Sequence, residues 1–282
     1  MLPGILATDP AFVSAPQIEV VRQLSYRNND RSLKLCRVRG SLALFFQSKM
    51  SCDVDGSPNA YHPDDDGLAL DTIASAGGRR KDDQPSGQLI VQPSPEVVVY
   101  ENGKPYLQPD GPFRGFYVSE TSLSSPDLPA TSPARYLDAR TFPYVVLPGG
   151  LVPEADLGDL IAVYDPLSEK LTYALYGDIG PSSECGEASL ATFLRLGLPA
   201  IDGKSSPCEV RHDMFYLVFP RSAWRIKRTH QWPPPLSLVD SSGNREFRQW
   251  GGMRRLKAVL AAPALSYESS SSNATATLPQ RP

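Results

Sequence analysis

Several features that define common protein classes are missing from the sequence. Its four cysteines, Cys36, Cys52, Cys185 and Cys208, are too few and too dispersed for a disulfide framework, and no CxxC pair indicates a structural zinc site. Cys185 and Cys208 could bridge the segment between them in an oxidising compartment, but spacing alone establishes no pairing. No stretch approaches the roughly 20 apolar residues of a membrane span, and the N-terminus has no readable secretion signal. These absences predict a soluble chain without a structural metal.

Long helix-forming stretches are also scarce, because proline is abundant. The chain has 28 prolines in 282 residues, about twice the usual share of roughly 5%. Proline interrupts helices because it lacks a backbone N–H, so a helical bundle or a coiled coil is excluded. Hydrophobic residues make up 41% and charged residues 21% of the chain, which is typical of a globular protein with one large domain or two small ones.

Positive charge is scarce over most of the chain and concentrated in one stretch. Between Arg221 and Lys257 there are nine lysines and arginines against two acidic residues, whereas the whole chain has a net charge of −3. The remainder of the protein is therefore acidic, which favours a cationic ligand over nucleic acid or an anionic membrane. The basic stretch has no recognisable nucleic-acid-binding pattern, so we expect a solvated face there.

Short apolar runs bounded by Gly and Pro recur along the chain. They are five to eight residues long and rich in Val, Tyr, Phe and Leu, which predicts strands at residues 41–48, 96–100, 115–119, 143–148, 160–165, 171–178 and 214–219. The segment DPLSEK between the fifth and sixth runs predicts a hairpin connection, because Pro166 favours a turn.

Helices are predicted at two places. Residues 187–196 have apolar side chains at helical spacing and are closed by Gly197, and residues 68–77 form a weaker candidate. Many strands with so few helices predict a mainly β (α+β) fold, a mixed or antiparallel β-barrel with one or two short helices, for which a double-psi-like barrel is one form.

The predicted domain boundaries follow from composition. Residues 1–30 are expected to be a mobile N-terminal segment and residues 31–225 the folded domain. Residues 226–266 are expected to be a basic C-terminal extension, and residues 267–282, rich in Ser, Thr and Ala, a disordered tail.

The segment YGDIGPSSECGEASL, residues 176–190, is the most informative for chemistry. A hydrophobic strand ends at Asp178, a Gly-Pro turn reverses the chain, and Glu187 is predicted to open the helix. Two carboxyl groups held by rigid elements suit general acid and base catalysis. The alternative is structural: Asp178 caps the turn, and Glu187 favours a helix N-terminus through the helix dipole.

Other candidate groups are less distinctive. Asp53 and Asp55 lack the spacing of a calcium loop, and with Tyr61 and His62 they either line a cleft or stabilise a turn. Cys185 beside Glu187 could be a nucleophile, but no protease signature surrounds it.

Four segments resemble, in order, the fungal-type chitosanases of glycoside hydrolase family 75: FFQSKMSCDVDGSPNAYHPDDD, GFYVSETSL, FPYVVLPGG and YGDIGPSSECGEASLA. The resemblance covers roughly residues 41 to 220, and the four segments lie within that range. The resemblance implies endo-hydrolysis of the β-1,4 bonds of chitosan with inversion and without a cofactor. The essential Asp and Glu of that family match Asp178 and Glu187. It also implies an extracellular location and a chitosan or chito-oligosaccharide partner, which fits the acidic body because chitosan is a polycation.

Asp53 and Asp55, with Tyr61 and His62, are then expected to hold the cationic sugar chain. Two other classes remain open at this stage. One is a non-catalytic carbohydrate-binding or cell-surface interaction protein on the same barrel, although a binder needs no acid–base pair. The other is a peptidase or amidase that uses Cys185 and would be sensitive to thiol reagents.

Overall fold

The computed structural model describes residues 15–25, 32–78, 92–181, 185–199, 209–229 and 231–262. These residues contain ten strands: β1 (Ile18–Ser25), β2 (Ser32–Val38), β3 (Leu44–Asp53), β4 (Tyr100–Glu101), β5 (Lys104–Pro105), β6 (Tyr144–Pro148), β7 (Leu160–Asp165), β8 (Lys170–Gly180), β9 (Glu187–Ser189) and β10 (Glu209–Phe219). They also contain four α-helices: α1 (Leu190–Leu196), α2 (Ala223–Lys227), α3 (Leu236–Trp250) and α4 (Gly252–Leu260). None of these helices is long and apolar enough to cross a membrane.

Six strands close into a mixed barrel, which confirms the predicted fold class. Their order is β3-β10-β7-β8-β6-β9, and β9 returns to pair with β3. The β3–β9 and β6–β8 pairs are parallel and the other pairs are antiparallel. β2 extends the sheet from β3, and β1 pairs with β2 at its edge. The helices number four among the described residues, against the predicted one or two.

Five of the seven predicted runs become barrel strands, namely β3, β6, β7, β8 and β10. The hairpin between β7 and β8 is confirmed, because Asp165 pairs with Lys170 across it. The runs at residues 96–100 and 115–119 form only isolated bridges, such as Val98 with Ser119, and the short β4. Ser119, at the end of the second run, donates a hydrogen bond from its Oγ to Asp55 Oδ1 over 2.9 Å.

The two predicted helices are both corrected. Residues 187–189 form β9, and α1 begins only at Leu190, because Ser189 caps it by accepting a hydrogen bond from Thr192 N. Glu187 therefore lies in a strand and not at a helix N-terminus. Residues 68–77 form turns, in which Asp65 Oδ1 accepts a hydrogen bond from Ile73 N over 2.9 Å. This side-chain acceptor competes with the helical backbone pattern.

The described part of the predicted extension 226–266, residues 226–229 and 231–262, forms the end of α2 and helices α3 and α4 and covers the barrel. Their apolar side chains join one hydrophobic cluster with strands β6, β7, β8 and β10. Phe247 and Trp250 are buried there, while the intervening Arg248 is exposed. The segment is basic on its outer face and hydrophobic on its inner face, so it is part of the folded body rather than an appendage.

A second hydrophobic cluster lies on the other face of the sheet and takes residues from all six barrel strands and from α1. Alternation along β7 shows the division: Leu160, Ala162 and Tyr164 belong to the first cluster, Ile161 and Val163 to the second.

The predicted mobile and disordered ends are only partly described. Residues 18–25 of the predicted mobile segment 1–30 form β1, because they pair antiparallel with β2, with a shift of register between Val20 and Arg22. The predicted tail, residues 267–282, lies outside the described residues.

Candidate active site

Strands β3, β9, β6 and β8 lie side by side and bring the predicted acidic residues to one face. Asp178 of β8 pairs with Val146 of β6, and Glu187 of β9 pairs with the same Val146 from the other side. Residues in register on neighbouring strands project to the same face, so both carboxylates flank Val146 there. Two strand spacings, about 10 Å in all, separate their backbones.

Two glycines of β8 shape this face. A Cβ added at Gly180 would lie 2.9 Å from Val146 Cγ1 and 3.3 Å from Glu187 Oε2, so the bare backbone makes room for the Glu187 carboxylate. A Cβ at Gly177 would lie 2.5 Å from Cβ of Tyr144. Gly177 is the extra residue of a bulge, which brings Asp178 opposite Val146.

Asp178 is held through a single carboxylate oxygen. Its Oδ1 accepts hydrogen bonds from Ser122 N over 2.9 Å, from Ser122 Oγ over 2.5 Å and from Ile179 N over 2.8 Å. Burial raises the pKa of Asp178, and these donors oppose that rise because they stabilise the ionised form. A raised pKa suits a carboxyl group that must deliver a proton.

Asp53 and Asp55 form an acidic cluster with Asp178, in which one oxygen of each carboxylate lies within 4.8 Å of the others. Tyr144 OH lies 3.0 Å from Asp53 Oδ2, to which it can donate, and Tyr61 hydrogen-bonds Asp55. Burial and the neighbouring Asp178 raise the pKa of Asp53 to about 7. Burial, Asp53 and Asp178 hold the pKa of Asp55 well above its ordinary value.

Carboxylate oxygens at this spacing are ligands that hard divalent cations prefer. Acidic clusters are also common without a metal. Asp53, Asp55 and Asp178 are the group among the described residues that could hold an ion.

Of the four predicted binding residues, three lie at the cluster and one has other neighbours. Asp53, Asp55 and Tyr61 are joined by the contacts just described. His62 packs edge-on against Phe116, with ring centroids 4.8 Å apart, and its Nδ1 accepts a hydrogen bond from Asp64 N. His62 therefore supports the loop on which Tyr61 lies.

Sequence reasoning missed Glu120, Ser122 and Tyr144. Ser122 and Tyr144 hydrogen-bond the acidic residues directly. Glu120 is half-buried, and Tyr136 OH can donate to its Oε2 over 3.1 Å. Burial raises the pKa of Glu120, and the charge of Asp178 adds to that rise. All three belong to the segments GFYVSETSL and FPYVVLPGG, which carried the resemblance but no assigned role.

The cysteine nucleophile is disfavoured by its surroundings. Burial, with the neighbouring Glu187, raises the pKa of the Cys185 thiol far above its ordinary value, so the reactive thiolate is depleted. Cys36 and Cys185 form no disulfide, and Cys208 lies outside the described residues.

Comparison with known proteins adds no family assignment: no family model matches this sequence, and no curated protein matches it.

Proposed function

We propose that the protein is an endo-acting glycoside hydrolase that cleaves the β-1,4 bonds of chitosan with inversion, outside the cell. The observation that carries the proposal is the pairing of Asp178 and Glu187 with the two sides of Val146. Inverting glycosidases need two carboxyl groups about 6.5 to 9.5 Å apart, with room for a water molecule between one of them and the sugar. Backbones about 10 Å apart on one sheet face are compatible with that separation.

In this mechanism Asp178 is the general acid and Glu187 the general base. Burial raises the pKa of Asp178, which keeps a proton available for the leaving-group oxygen. Glu187 removes a proton from the attacking water on the opposite side of the sugar. The dipole of α1 gives Glu187 no support, because the helix begins three residues later.

The charge of the surroundings favours an amino sugar polymer over a neutral one. Asp53, Asp55 and Glu120 stand near Asp178, and each could pair with a glucosamine ammonium group when ionised. A neutral polysaccharide would gain nothing from these charges and would leave them desolvated.

The deciding experiment is incubation of the protein with soluble chitosan, with product reducing ends, size and anomeric configuration measured. We expect Asp178→Asn and Glu187→Gln each to abolish hydrolysis with the fold intact, because each amide removes a proton donor or acceptor at nearly constant size. Asp110→Asn and Glu154→Gln, both at exposed positions, are the matched controls and should keep full activity. Chitosan binding without turnover by the wild-type protein would favour a carbohydrate-binding protein instead.

The two roles are separated by a substrate with a very good leaving group. Such a substrate needs little acid assistance, so it should partly rescue Asp178→Asn but not Glu187→Gln. Azide should rescue Glu187 variants if it occupies the vacated water site. Rescue of Glu187→Gln by the good leaving group, with Asp178→Asn inactive, would reverse the assignment.

A further inference from the structure

We propose that Ser122 is a positioning residue for Asp178. Ser122 anchors the Oδ1 oxygen of Asp178 and leaves Oδ2 as the oxygen that carries and delivers the proton. The catalytic part of this inference rests on the proposed function. The anchoring itself concerns only the two side chains and can be measured without a substrate.

The hydrogen bonds that described residues donate to the Asp178 carboxylate all end on its Oδ1 oxygen. Ser122 donates to Oδ1 twice, through its backbone N over 2.9 Å and its Oγ over 2.5 Å, and Ile179 N donates a third hydrogen bond over 2.8 Å. The Ser122 hydroxyl also accepts from Ile179 N over 3.2 Å, which ties it to the end of β8. No described residue donates a hydrogen bond to Oδ2 of Asp178.

Three donors on one oxygen have a chemical consequence. They stabilise negative charge on Oδ1, so the protonated form of Asp178 carries its hydrogen on Oδ2. A carboxyl group fixed at one oxygen cannot rotate freely, so Oδ2 is presented in one direction. Ser122 is exposed at the sheet face, where its side chain can hold Asp178 without contributing to the core.

Ser122 also bears on the titration of Asp178. Loss of its hydroxyl removes a hydrogen bond to the ionised form, so the pKa of Asp178 should rise further. The titratable groups that feel the charge of Asp178 or flank it in the sheet are all kept in the variant; they are Asp53, Asp55, Glu120, Tyr144, Tyr176 and Glu187.

The test is a carboxyl-carbon NMR titration of Asp178 in the full chain. Ser122→Ala should raise the Asp178 pKa by about one unit, a tenfold change in its protonation equilibrium. Ser122→Thr keeps the hydroxyl and should titrate like the wild type. Ser124→Ala, two residues along the same segment, is the matched control and should cause no shift.

The pH profile of chitosan hydrolysis is the second readout. Ser122→Ala should move the alkaline limb of kcat to higher pH and lower kcat about tenfold, with Ser122→Thr restoring both. An unchanged Asp178 titration in Ser122→Ala would overturn the inference. A shifted titration in a protein that does not cleave chitosan would support the anchoring and defeat the proposed function.

Discussion

The raised pKa of Asp53 makes the free energy of unfolding of the protein depend on pH. Its folded-state pKa of about 7 lies above the ordinary value of 3.8, because burial and Asp178 disfavour its charged form. A carboxyl group with a raised folded-state pKa contributes stability below its unfolded pKa, and this contribution is lost as pH rises through the folded pKa. The window for Asp53 therefore extends from about pH 4 to about pH 7.

We expect Asp53→Asn to flatten this dependence. Between pH 5 and pH 7.5 the wild-type free energy of unfolding should fall by about 2 kcal/mol more than that of the variant. Urea unfolding at the two pH values measures the difference, and Asp64→Asn, at an exposed position, is the control. Equal changes in the variant and the wild type would mean that Asp53 titrates normally.

Gly180 offers a second test at the residue scale. A Cβ there would lie 2.9 Å from Val146 and 3.3 Å from the Glu187 carboxylate, so Gly180→Ala should displace Glu187. We expect kcat on chitosan to fall about tenfold and stability to fall by about 1–2 kcal/mol.

The control is Gly149→Ala, where the added Cβ would lie 3.5 Å from Ile179 Cγ2, an ordinary contact. This variant should keep its activity. Wild-type kcat in Gly180→Ala would show that the bare backbone at this position is not needed to seat Glu187.

At the scale of elements, β9 matters more to the site than its three residues suggest. It lies between β3 and β6, closes the barrel and carries Glu187. Gly186 immediately before it has a φ of 101°, and a Cβ there would lie 2.0 Å from Lys49 O. The close approach of β3 to the start of β9 therefore requires glycine at position 186. This contact also fixes the backbone that carries Glu187, the next residue.

Helix α3 packs on the barrel and contributes buried side chains to the first hydrophobic cluster. Phe247 is 3% exposed and packs against Tyr173 of β8 and Trp250, with ring centroids 6.3 and 6.1 Å away. We expect Phe247→Ala to lower the free energy of unfolding by about 3–4 kcal/mol, because it leaves a cavity against the barrel.

The neighbouring Arg248→Ala should change stability by less than about 0.5 kcal/mol, since Arg248 is exposed. Chemical denaturation of both variants measures the contrast. Similar small losses in the two would mean that α3 packs loosely and contributes little to the fold.

For the whole molecule, the separation of charge has a functional consequence. Seven of the nine basic residues between Arg221 and Lys257 lie on α2, α3 and α4. Some of them pair with acidic neighbours, as Arg225 does with Glu246 and Lys257 with Glu169. The acidic cluster is on the face formed by β3, β9, β6 and β8. A polycation should therefore be drawn to the site and away from the helical side.

We expect the affinity for glucosamine oligomers to fall several-fold between 50 mM and 500 mM salt, because salt screens the long-range attraction between a polycation and the acidic face of the protein. Binding to the inactive Asp178→Asn protein, followed by calorimetry, measures this without turnover. Fully N-acetylated oligomers of the same length are neutral and serve as the control. The same salt dependence for both oligomers would show that charge does not select the substrate.

The sequence alone determined the class of the fold. Short runs rich in Val, Tyr and Phe mark β3, β6, β7, β8 and β10. Such runs favour strands locally, whichever strands they later pair with. It also singled out Asp178 and Glu187, because their spacing lies within one continuous segment. Helices α3 and α4 were missed because their many charged residues masked the apolar positions that face the barrel.

Only the tertiary structure decided which groups surround the acidic pair. Ser122 meets Asp178 across 56 positions of sequence, and Tyr144 meets Asp53 across 91. Barrel closure also places Glu187 in a strand and not at the expected helix start, because its segment pairs with β3 and β6 to form β9. Local patterns specify how a segment folds, but the neighbours that set a carboxyl group's orientation and protonation come from strands distant in the chain.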